Sequence, residues 1–184
     1  MPDLRRARDL GLLDSIDDFE RERFTQHLWR VVREGRDPIL GAPSISRWCD
    51  GTFDVLYTSM ERDGALAEIH ALLSMQPVFP SKVSFYVHRL TVSTLQTLRF
   101  PTCETLSKFG VDISRYRERD YSRTQPIADA AYFLGFDSLV APSARWECLN
   151  AVLFTDRIPP SNIEIDESEA EPIDWSAWRK RARA

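Results

Sequence analysis

Residues 53–74 read FDVLYTSMERDGALAEIHALLS. The first seven, from Phe53 to Ser59, are dominated by β-forming side chains and predict a strand that carries Tyr57. After Asp63, which is placed to cap a helix, the spacing changes. Leu66, Ile69, Leu72 and Leu73 recur at helical intervals and make one apolar face. Glu68 lies about 100° from Ile69 and about 160° from Leu66 around such a helix, so it points away from that face. A strand running directly into an amphipathic helix that carries a lone carboxylate is the organising unit of the chain.

Upstream, HLWRVV (27–32) alternates and is rich in β-formers, predicting a strand that turns Arg30 outward from the core. Between the two strands, residues 34–50 contain Gly35, Pro38, Gly41 and Pro43 and read as a long loop, a kind of segment that often carries function in compact domains. The stretch Leu4–Phe24 places Leu10, Leu13, Ile16 and Phe19 at helical spacing and predicts one or two packing helices. Downstream, KVSFYVHRL (82–90) reads as a third strand. A short helix is expected from Thr102 to Gly110, and another from Thr124 to Leu134, stopped by Gly135. Two short strands, DSLVA (137–141) and NAVLF (150–154), flank the turn PSARWECL (142–149). Trp175 and Trp178, one helical turn apart, are expected to dock a last helix.

The spacings are too short for regular βαβ crossovers. They predict an α+β fold: a single domain with a small, mostly antiparallel sheet and flanking helices. A doubly wound dinucleotide fold and a P-loop are excluded, since neither GxGxxG nor GxxxxGK[ST] occurs among the seven glycines. The expected division is an N-terminal helical extension (1–25), a central domain (26–156) and a strand/helix tail (157–184) packing on that domain.

With 184 residues, 43% of them hydrophobic, the chain is long enough to bury one substantial core. A net charge of -4 and a pI near 5.5 do not favour a nucleic-acid backbone as partner. The basic run RKRAR (179–183) follows the acidic IDESEAEPID (165–174) after four residues, and the two are expected to screen each other on a solvated tail. Three cysteines, Cys49, Cys103 and Cys148, lack metal-ligand spacing and suit a reduced, cytoplasmic protein. No stretch approaches the roughly 20 apolar residues of a membrane span, and no signal peptide is recognisable.

Five polar residues sit at the mouths of apolar segments: Arg30, Arg47, Tyr57, Glu68 and Ser143. Guanidinium forks clamp a pyrophosphate, a ring stacks on a flat base, and a carboxylate stabilises positive charge developing on a ribose, so the set suits a dinucleotide. Each residue also has a plainer reading: a solvated helix glutamate, a strand tyrosine at the core edge, arginines in surface ion pairs, and a turn-forming serine. His27, His70 and His88 lie near no nucleophile in a recognised pattern, and Cys148 reads as a packed thiol.

Taken in order, LWRVV, SRWCDGTFDVLYTSMERDGALAEIHALL, RTQPIADAAYFLGFDSLVAPSARW and NAVLF resemble the RES domain, over about residues 26 to 156. The resemblance implies a fold similar to ADP-ribosyltransferase toxins. It also implies an NAD-degrading toxin that cleaves the nicotinamide–ribose bond by phosphorolysis or hydrolysis and is paired with an Xre-type antitoxin. NAD would be substrate rather than cofactor, with inorganic phosphate a possible co-substrate; no cofactor and no metal are expected. By the same resemblance Glu68 and Tyr57 are catalytic, while Arg30, Arg47 and Ser143 bind substrate. The family's Gly-Gly-Arg-Trp loop appears here as Ile45-Ser46-Arg47-Trp48, followed by Cys49 where asparagine is frequent. An Ile45 backbone forced to positive φ would hinder such a loop. Two alternatives stand beside this reading: an ADP-ribosyltransferase acting on a macromolecule, and an NAD-binding module that has lost turnover.

Overall fold

Strand β5 (Phe85–Arg99), fifteen residues long, is the strand around which the sheet is built. The computed structural model describes residues 7–182. Ahead of β5 come α1 (Leu10–Asp17), β1 (Glu22–Arg33), the two-residue strands β2 (Ile45–Ser46) and β3 (Cys49–Asp50), β4 (Val55–Ser59) and α2 (Arg62–Leu73). After it come α3 (Cys103–Lys108), α4 (Thr124–Phe133), β6 (Ser138–Pro142), β7 (Leu149–Phe154), β8 (Ile163–Ser168) and α5 (Trp175–Ala182).

Along one edge β5 pairs antiparallel with nearly all of β1, from Arg33↔Phe85 to Glu22↔Thr97. Its other edge is shared: β8 takes residues 88–92, antiparallel, and β6 takes 97–99, parallel. From β6 the order continues through β7 to β4, and β4 returns to β1 at Trp29↔Ser59. The sheet therefore closes into a five-stranded barrel, with β8 attached outside the ring. This corrects the expected small sheet. The expected α+β class and antiparallel character hold, since β5–β6 is the one parallel pairing of the barrel sheet among the described residues.

Closure depends on the length of β5. The expected strand ended at Leu90, but Val92, Thr94, Thr97 and Leu98 continue it as buried residues. The buried hydroxyls of Thr94, Thr97 and Ser138 bond to one another in a chain, so their burial leaves no hydrogen bond unmade. Side chains from all five ring strands, including Phe24, Leu28, Leu56, Leu90, Val140 and Leu153, meet in the interior. A second cluster lies under α1, α3 and α4, and a third joins α2 and β5 to Trp175 and Trp178 of α5.

Two local expectations are corrected. Residues 22–24 are strand, not helix, because pairing with β5 outweighs the helical spacing there; residues 4–6 of that stretch lie outside the described residues. Glu61, not Asp63, occupies the N-cap position of α2. Asp63 lies in the first turn, where its carboxylate accepts hydrogen bonds from Trp178 Nε1 at 3.0 Å and from Arg181 at 3.2 Å. The C-terminal helix is thereby fastened to the helix that carries Glu68.

Candidate active site

The barrel is split along the seam between β1 and β4, and the site lies in the split. Trp29↔Ser59 is the one register pair joining these strands. Farther along β4, Ala42 takes over the free edge through reciprocal backbone bonds with Val55, at 3.1 and 3.2 Å. In the gap between, Arg30 Nη1 donates to the Tyr57 carbonyl at 3.1 Å, a side chain doing the work of a ladder bond. A cavity of about 340 Å³ opens here, walled by residues of β1, β4, α2, the 44–48 loop and the 142–150 turn. That volume lies within the range of small-molecule sites.

Glu68 lines this cavity from α2. Its Oε1 accepts from Ser143 Oγ at 2.7 Å and from Asn150 Nδ2 at 2.9 Å, while Oε2 has no donor among the described residues. Gly64 allows the helix to sit this close. A Cβ there would lie 2.4 Å from Ser59 Oγ and 2.5 Å from Cys148 Sγ, inside contact distance. Ser143 does not line the cavity. Its hydroxyl donates to Glu68 and accepts from the amides of Arg145 and Trp146, at 3.1 and 3.2 Å, so its capacity is used inside the protein. Expected among the substrate-binding residues, Ser143 is seen here holding the Glu68 carboxylate.

Tyr57 lines the cavity, and its hydroxyl is engaged within the protein, with Ser46 Oγ at 2.7 Å and the Trp48 amide at 2.9 Å. Burial pushes its phenol well above the ordinary tyrosine pKa. Ser46 thus ties the loop to β4, and Gln125 of α4 ties it from the other side, donating to the carbonyls of Ser46 and Cys49 at 2.9 and 3.1 Å. Trp48 is buried against Phe100. The loop's departure from a glycine pair carries no backbone strain: no described non-glycine residue has positive φ, and Ile45 is 83% exposed at the rim.

Four arginines line the cavity, Arg30, Arg47, Arg119 and Arg145, against one carboxylate. None of the four makes an ion pair among the described residues. Arg47 is bracketed by aromatic faces, 4.5 Å from the Tyr116 ring centre and 5.1 Å from that of Tyr121. Burial lowers Arg30 to about 10, partly offset by Asp37, and leaves it cationic at neutral pH. Its Nε is buried without an acceptor. Opposite it on β5, burial and the Arg30 charge together depress His88 below an ordinary histidine.

Of the five residues expected at the site, four line the cavity and Ser143 stands behind Glu68. Arg119, Arg145, Tyr121 and Asn150 also line it and were not foreseen. Arg145 sits in the same PSARW turn as Ser143, and Asn150 is the one polar residue opening an apolar strand; those were the available signals. No group of acidic, histidine or cysteine residues that could hold a metal occurs among the described residues. No helix there is long and apolar enough to cross a membrane.

An α+β barrel with one tethered carboxylate and four unpaired arginines in its open seam defines a protein built to hold a polyanionic small molecule. The RES domain family model matches residues 27–176, and the chain belongs to that family. It is 36% identical over 87% of its length to the probable NAD(+) phosphorylase Rv3189 of Mycobacterium tuberculosis, covering 78% of that protein. It is 21% identical over 88% of its length to the NAD(+) phosphorylase MbcT of Mycobacterium bovis, covering 91% of that protein. In fold it is similar to a chain of the crystallised M. tuberculosis MbcT–MbcA toxin–antitoxin complex, with a TM-score of 0.82 over 97% of this chain and 100% of that one, at 19% identity.

Proposed function

We propose that this protein is an NAD phosphorylase, cleaving the nicotinamide–ribose bond with inorganic phosphate and serving as the toxin of a toxin–antitoxin pair. The observation that carries this reading is the four unpaired arginines around a single carboxylate. NAD brings a pyrophosphate dianion, and phosphate brings a second anion to the same site. An unpaired guanidinium gains most from such partners because no internal salt bridge has to be broken first. The 36% identical relative named as a probable NAD(+) phosphorylase supports the same reaction. The fold is read as ADP-ribosyltransferase-like.

Nicotinamide is cationic while attached and neutral once free. The C1′–N bond breaks with its electron pair passing to the ring nitrogen, so no general acid is needed and one carboxylate suffices, whereas ordinary glycosides usually use two. Glu68, through Oε2, bonds the ribose hydroxyls and offsets the positive charge that develops on the sugar. The Tyr57 ring packs beside the nicotinamide riboside, and Arg30 and Arg47 hold the pyrophosphate. A phosphate oxygen then forms the new bond to C1′, giving ADP-ribose 1″-phosphate. NAD is the substrate, phosphate the co-substrate, and the chemistry requires no cofactor. A cytoplasmic setting accords with such a substrate, and an Xre-type antitoxin that blocks the cavity is the partner this reading calls for.

The test is nicotinamide release by the purified protein with and without inorganic phosphate. Release should depend on phosphate, and Glu68→Ala should lower it about 100- to 1,000-fold with the fold intact. Release at equal rates in both buffers would replace phosphorolysis with hydrolysis, and label passing from NAD to a macromolecule would make the protein a transferase.

A further inference from the structure

We propose that Asn150 is a positioning residue for the reaction: its side-chain amide fixes which oxygen of Glu68 faces the substrate. This rests on the reading of Glu68 as the group that stabilises the ribosyl cation. The amide orientation follows from chemistry, because a carboxylate accepts and only the NH₂ end of an asparagine can donate to it. Asn150 Nδ2 meets Glu68 Oε1 at 2.9 Å and Ser143 Oγ meets the same oxygen at 2.7 Å. The two donors come from different elements, β7 and the turn before it, so together they set both the position and the rotation of the carboxylate plane. With one donor alone the carboxylate could still swing about that bond. With two, Oε1 is occupied and Oε2 is left for the sugar.

The other end of the same amide makes no hydrogen bond that ties the barrel together among the described residues. Its Oδ1 is buried and accepts no hydrogen bond from any described residue. An asparagine serving the fold would be paired at both ends. Asn150 instead donates to Glu68, the one carboxylate among the described residues that line the cavity. The backbone of Asn150 takes part in the sheet opposite Ser59 and Ala141, and that pairing does not depend on its side chain.

Two variants separate positioning from structure. Asn150→Ala removes the donor together with the orphaned carbonyl. By analogy with outer-shell groups that orient metal ligands, it should lower kcat about 10- to 100-fold, while KM and the melting temperature change little. Asn150→Asp keeps the shape but replaces the donor with an acceptor carrying the same charge as Glu68, and should lose at least as much kcat as the alanine variant. A structural role predicts the reverse order, with the isosteric aspartate milder than alanine, a fall in melting temperature and no selective loss of kcat. Crystal structures of both variants supply a reading that does not depend on turnover. The Glu68 carboxylate should rotate or occupy two orientations, and a carboxylate unmoved on Ser143 in both would overturn the proposal. Wild-type protein that releases no nicotinamide would instead sink the NAD reading, and the crystallographic comparison would still decide the role of Asn150.

Discussion

At the scale of single residues, Tyr57 shows how a side chain can serve the site and the fold with different atoms. Its hydroxyl joins Ser46 and the Trp48 amide, its carbonyl takes the Arg30 guanidinium, and its ring remains for the cavity. Ser46 stands where the resemblance leads one to expect a glycine, and its hydroxyl supplies a tether that a glycine lacks. Tyr57→Phe separates these roles. It leaves the partly buried Trp48 amide without its acceptor, so stability should fall by about 1–3 kcal/mol, measured by chemical denaturation. The ring stays in place, so kcat should remain within a few-fold of wild type. A hundredfold loss of kcat with unchanged stability would show that the hydroxyl itself acts on the substrate.

At the scale of elements, β4 and the span of α2 were legible because short-range alternation and helical period decide them, although Leu72 of the expected apolar face is exposed and Ala65 and Ala67 are buried instead. The helices ending at Gly110 and Gly135 were legible for the same reason, both glycines having positive φ. Closure of the barrel was not, because it depends on β5 running past Leu90 and on β4 meeting β1 at a single pair, and both are long-range matters. Arg119 was likewise invisible, since nothing local marks one arginine as facing a cavity, and the polar Asn150 at the start of an apolar strand was only a weak signal. Gly64 gives this contrast a test. Glycine inside a helix is disfavoured by about 1 kcal/mol relative to alanine, so local propensity alone predicts that Gly64→Ala is stabilising. The packing predicts the opposite: Ser59 and Cys148 must both move, α2 is pushed off the barrel, and Glu68 is drawn away from Ser143 and Asn150. The expected result is a lower melting temperature and a lower kcat together. A variant more stable than wild type and fully active would show that the two side chains simply rotate aside.

At the scale of the whole molecule, the site exists because the barrel closes incompletely. A ladder continuous from β1 to β4 would fill the gap with backbone hydrogen bonds and leave no room for a ligand. One register pair keeps the ring shut, and beyond it the exposed edges are finished by Ala42 and by the Arg30 guanidinium. The opposite wall is of another kind, with β5 paired along its length to β1 and on its far edge to β8 and β6. Stability should therefore be unevenly distributed, since segments with few ladder bonds open at lower cost than fully paired ones. Hydrogen exchange read by peptide mass spectrometry should find residues 42–54, ahead of β4, which is paired along its length with β7, exchanging faster than β5. On addition of ADP-ribose, the fragment of NAD that bears the pyrophosphate, protection should rise in 42–59 and around Arg30, because in the proposed binding mode the anion joins Arg30 of β1 to Arg47 of the loop across the seam. The strand β8, outside the ring, should not respond. Protection spread evenly over β5 and β8 would mean that the ligand acts by tightening the whole barrel, and the seam would then be a feature of the fold without a part in binding.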